Sequence, residues 1–197
     1  MSHVLQKRAS AHRLNAALAP YQIAAFVAHD DIEPAKEWRV EIETALRTTD
    51  ALVAIISPGS ILSKWCDQEA RIAMGCKKLV VPLRVGTDPH GFLGKLQGMQ
   101  TKGSDASAIA KQLFNAVLKN DITGSRVADS LIDGLTASTS WTSAKATMTR
   151  LTKVKAFSTS QSGRLFRALG SHAEVSGAIG VSQQIKALIA QCGADAG

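Results

Sequence analysis

The chain has 197 residues, 45% of them hydrophobic and only 5% aromatic, which is enough to bury one aliphatic core with a smaller appendage beside it. Its formal charge of +7 favours weak attraction to polyanions, but no basic run is interleaved with aromatics, which argues against nucleic acid as a partner. Cys66, Cys76 and Cys192 include no CxxC pair and no His at metal spacing, and neither a signal peptide nor a bilayer-length apolar stretch is present. These features argue against a zinc site, a disulfide framework and a membrane-spanning helix, and a soluble cytoplasmic chain with reduced thiols is expected.

Residues 7–18 carry Ala11, Leu14, Ala17 and Leu18 at helical spacing, with Pro20 as a stop. Residues 23–28, Ile-Ala-Ala-Phe-Val-Ala, read as a short strand running into the polar loop His29-Asp30-Asp31. Pro34 then opens a helix whose apolar stripe is Trp38, Ile42, Ala45 and Leu46. Residues 51–56 form an almost purely apolar run, stopped by Ser57-Pro58-Gly59-Ser60, which is the pattern of a strand covered on both faces. The helix predicted over 61–75 puts Trp65 and Glu69 four residues apart, and so on one face near the carboxyl edge of that strand. A further strand is expected over 79–85, with Pro82 arguing for a bulge or an edge because it lacks a ladder donor. Residues 86–103 read as a loop with a turn near Phe92 to Leu96, and 106–118 as an amphipathic helix.

This alternation predicts a flavodoxin-like doubly wound parallel sheet over residues 1–120. Beyond Asp121 no strand-like run survives, and short helices are expected over 127–135, 141–154, 163–169 and 181–189, with Gly177 to Gly180 as a turn. Residues 121–197 are accordingly expected to form a helical appendage, with a boundary near 119–125. No glycine-rich dinucleotide fingerprint is present, which argues against hydride transfer. A receiver-type phosphorylation domain would need an Asp where Ser57-Pro58 stands.

Phe26-Val27-Ala28-His29-Asp30-Asp31, then the hydrophobic strand ending in Ser57, then Ser63-Lys64-Trp65-Cys66-Asp67-Gln68-Glu69 and Val81-Pro82-Leu83 resemble a TIR domain, the Toll/interleukin-1 receptor and resistance-protein module. The wording around Asp30 to Pro34 and Asp88 to Phe92 is most similar to bacterial stand-alone TIR proteins of anti-phage defence, of the Thoeris type. In the family a hydrophobic strand ending in Ser-His or a similar pair precedes the first helix and is central in the sheet. This chain opens with Met1-Ser2-His3-Val4, as though entering that strand at its last residues, so the first strand is expected to be truncated.

The resemblance implies cleavage of NAD+, as substrate and not as cofactor, at the bond between nicotinamide and ribose, with Glu69 as the catalytic carboxylate. Nicotinamide leaves as a neutral group, so the chemistry asks mainly for a carboxylate that holds the ribose hydroxyls and stabilises oxocarbenium-like charge. Trp65 either walls the pocket and stacks on a flat ring or is a core or interface tryptophan. His3, Asp30, Asp31 and Ser57 are expected at the carboxyl ends of neighbouring strands, where they line the same cleft; Asp30 and Asp31 otherwise read as a turn with helix N-terminal charge. Arg84 and Lys64 are candidate phosphate-binding cations by position in the chain. The resemblance also implies self-association through the loop that opens at His29 and closes at Ala35, and a downstream effector that senses a cyclic ADP-ribose product. A non-catalytic TIR adaptor is the alternative, and a nucleoside transferase using a Glu on a related fold a minor one.

Overall fold

A computed structural model describes residues 2–27, 38–58 and 64–194, with side chains outside 2–9, 38–39, 64–66 and 191–194. The described elements run in the order α1 (Ser2–Leu18), α2 (Trp38–Thr48), β1 (Ala51–Ile56), α3 (Lys64–Gly75), β2 (Leu79–Arg84), β3 (Met99–Gln100) and α4 (Ala106–Lys119), followed by helices alone. These are α5 (Asp121–Thr136), α6 (Trp141–Leu151), α7 (Thr159–Ser171), α8 (Ala173–Ser176) and α9 (Val181–Ala194). The chain divides into two compact units, one of residues 1–18 and 24–117, the other of 19–23 and 118–197.

The first unit is α/β. Its three strands lie in the order β1-β2-β3, all parallel, with Ala51 opposite Leu79 and Ile56 opposite Arg84. Parallel neighbours require a crossover, and α3 supplies it between β1 and β2. Ile56, Ala70 and Leu93, each no more than 2% exposed, tie the end of β1, the middle of α3 and the β2–β3 connection into one cluster.

Five sequence expectations change here. Residues 23–27 alternate in burial as an extended segment does, but they form no strand of the described sheet, and Ala28 lies outside the described residues. Side-chain alternation alone does not make a strand; a continuous backbone ladder does. The opening residues, expected as the tail of a truncated strand, belong to α1. A helix closes its hydrogen bonds within its own segment, whereas a strand of that length needs a neighbour. β1, whose composition reads as buried on both faces, is an edge strand among the described residues and is only half-buried in five of its six positions.

Pro82 causes no bulge: it is buried in the central strand, in unbroken register with Ala54. The amide of Val85 donates to Ile56 O at 2.7 Å, so by the alternation of a parallel ladder the amides of even-numbered residues face the other way. The missing N–H of Pro82 therefore points to the β3 side, where pairing begins only at Leu83 opposite Met99. β3 itself lies within the stretch expected to be loop. At two residues it is too short to show a period in the sequence.

The second unit is helical. Leu131, Ile132, Leu135, Met148, Leu151, Leu165, Val175 and Ile185 form a fully buried aliphatic interior. Within the stretch 119–125 one residue separates two helices: α4 ends at Lys119, α5 begins at Asp121, and the Asn120 side chain caps α5 by accepting from Thr123 N at 3.1 Å. Ser140 caps α6, and Ser158 with Gln161 forms a reciprocal capping box at α7. Gln161, itself buried, also donates to Ser125 O at 3.0 Å, fastening α7 to α5.

Candidate functional site

The site is built on α3. Ala70 and Ala73 have no exposed surface and face the core, and Ala70 shares its cluster with Ile56, the last residue of β1. One residue before Ala70, Glu69 is thereby held close to the carboxyl edge of the sheet, the edge at which open α/β sheets bind ligands. Glu69 is half-buried, and burial raises its carboxyl above the ordinary carboxylate range, because leaving water disfavours the charged form. A carboxylate of this kind is a recurrent mark of functional sites.

The loops at this edge converge. Ser57, the residue after β1, is buried, and Pro58 beyond it comes within 3.8 Å of where a Cβ on Gly86 would stand. Gly86 follows β2 at φ +86, a conformation that disfavours other residues, so the chain turns there tightly enough to meet the end of β1. Ser57 and Glu69 are the expected site residues whose side chains are described. Trp65 lies in α3 one turn before Glu69, and His3 lies in α1 instead of at a strand's end; their side chains are outside those described. Asp30 and Asp31, with the loop from His29 to Ala35, fall outside the described residues.

Arg84, one of the two candidate phosphate cations, is not a free charge. Its guanidinium pairs with Asp88, and its stem lies across Gly98, where a Cβ would come within 2.6 Å of it. Lys64 is in α3 with its side chain outside those described. Among the described residues no group of three or more His, Cys, Asp or Glu is placed to hold a metal. No helix among them is long and apolar enough to cross a membrane.

The other flank of α3 carries contacts that the residue pattern did not single out. The Arg71 guanidinium lies over the Phe92 ring, 4.5 Å from its centroid, and a Cβ on Gly91 would stand 2.6 Å from an Asp67 carboxylate oxygen. Gly91 opens a short 3₁₀ turn, Gly91–Lys95, in the region where a turn is expected. The available signal in the sequence was the Gly91-Phe92 pair itself, a glycine followed by the loop's one aromatic.

A family model described as a TIR domain matches residues 1–114. Neither a curated protein nor a solved structure matches the chain.

Proposed function

The chain belongs to the TIR-domain family, and from that premise we propose that it cleaves NAD+ between nicotinamide and ribose, with Glu69 as the catalytic carboxylate. The observation that carries this reading is the half-buried Glu69 with its raised carboxyl, on the helix of the Ser-x-Trp-Cys-x-x-Glu pattern whose next residue, Ala70, packs with Ile56 at the end of β1. As the C1′–N bond breaks, its electron pair leaves with nicotinamide, which is neutral and needs no proton. Positive charge then develops on the ribose, and a carboxylate with little competing water stabilises it more strongly than one in bulk solvent. Water attacking C1′ and losing a proton gives ADP-ribose; attack by an atom of the same molecule gives a cyclic ADP-ribose.

In this reading residues 1–120 are the catalytic domain and 121–197 a helical appendage. Trp65, Ser57, Asp30, Asp31 and His3 are candidate substrate contacts, Trp65 by stacking and the others by hydrogen bonding. A cyclic product would act as a signal to an effector protein, and the similarity to stand-alone bacterial TIR proteins supports a role in anti-phage defence.

Nicotinamide release from NAD+, with product identification by mass, tests the proposal on concentrated protein. Glu69→Ala is expected to lower kcat by about 100-fold or more, the scale of losing one electrostatic stabiliser of a transition state. Equal activity in Glu69→Ala and wild type would refute the role of Glu69. No release from assembled wild-type protein would favour the adaptor.

A further inference from the structure

Helix α3 carries Glu69, and among its described side chains the fully buried ones are alanines, Ala70 and Ala73. Methyl groups let a helix approach a sheet closely, yet they offer no long ridge to seat in a groove, and ridges in grooves are what fix a helix's orientation. These two alanine contacts by themselves leave the roll of α3 about its own axis open to a further constraint. The tolerance is narrow: side-chain tips lie about 5–6 Å from a helix axis, so a roll of about 10° moves a carboxylate by about 1 Å. Misplacement of that size costs on the order of 100-fold in rate.

One such constraint stands on the opposite flank. Asp67 and Arg71 lie two residues before and two after Glu69, so each is about 160° around the helix from it. Both meet the β2–β3 connection: Asp67 abuts Gly91, and Arg71 covers Phe92 at 4.5 Å. Gly91 takes φ +53, which favours glycine, and the approach of the Asp67 carboxylate leaves no room for a Cβ. The connection is itself anchored, because Leu93, the next residue, is buried with Ala70 and Ile56. A fixed turn thus grips two side chains that straddle the antipode of Glu69.

We propose that the Gly91-Phe92 turn is a clamp that sets the roll of α3, making Gly91, Phe92 and Arg71 positioning residues for Glu69. In its catalytic consequence this rests on the reading of Glu69 given above; in its structural content it does not. Phe92 is 45% exposed and Arg71 is exposed, so the clamp is a surface contact whose loss leaves the core intact. A catalytic effect is therefore separable from loss of folding.

The test uses the full chain with Phe92→Ala, Arg71→Ala and Arg71→Lys, reading kcat, KM, the melting temperature and the 13C resonance of the Glu69 carboxyl at one pH. Phe92→Ala is expected to lower kcat by about 10- to 100-fold, with KM nearly unchanged and melting within a few degrees of wild type. Arg71→Lys, which keeps a cation over the ring, should retain most of the activity that Arg71→Ala loses. The Glu69 resonance should be displaced in Phe92→Ala. A resonance coincident with wild type overturns the clamp whether or not the chain cleaves NAD+, as does an undiminished kcat in an active enzyme. A displaced resonance in a chain that releases no nicotinamide upholds the clamp and removes the catalytic reading.

Discussion

At the scale of single residues, Glu69 is costly to the fold. Burial raises its carboxyl, so the folded chain holds that proton to a higher pH than the unfolded chain does. Well below the ordinary carboxylate range both states are protonated and the residue costs nothing. As pH rises through the folded value the charge must form in a partly dry place, and stability is lost. Glu69→Gln cannot ionise, so it is expected to melt above wild type at pH 7.5, with the difference shrinking toward pH 4. Melting curves at the two pH values check this; a constant difference would mean that charge burial is not its source. Destabilising charge held at one place is what a functional site is expected to show. Glu69 was legible from its place in a motif. Its burial was not, because helical spacing puts Trp65 and Glu69 on one face without saying whether that face is wet.

At the scale of elements, strands and helices were legible to different degrees. β1, β2 and α4 follow directly from apolar runs and 3.6-residue spacing. β3 did not, since two residues pair only because the end of β2 lies beside them. The corner between α4 and α5 lies in the stretch read as a boundary, because strand-like runs end there and helical ones take over. In the structure a glycine permits contact there: Gly124 lies where a Cβ would be 2.9 Å from the Leu118 carbonyl oxygen, so the chain turns at one residue. Gly124→Ala is expected to destabilise the helical unit by about 1–3 kcal/mol, the cost of overpacking a closed site. Urea unfolding followed by circular dichroism measures it, and an unchanged midpoint would show that the corner opens freely.

At the scale of the whole molecule, the two units are built by different rules. The first buries its apolar residues around a sheet; the second is helix on helix, with side-chain caps at Asn120, Ser140 and Ser158. The resemblance to TIR proteins implies self-association through the loop from His29 to Ala35, and we propose that activity depends on it. The specific rate of nicotinamide release should then rise with protein concentration across the range in which sedimentation detects assembly. A specific rate independent of concentration would make one copy sufficient.

The sequence by itself determined the α/β class, the change to helices after Asp121, and the identity of the candidate carboxylate. Each of these depends on local periodicity, on turn chemistry, or on residue types at fixed spacing. The tertiary structure decided that β1 is an edge among the described strands, that Pro82 fits a central strand without a bulge, and that Arg84 is already paired with Asp88. It also brought Gly91 and Phe92 against Asp67 and Arg71. Pairings between segments tens of residues apart depend on backbone direction and on what lies alongside. Neither leaves a period in the chain.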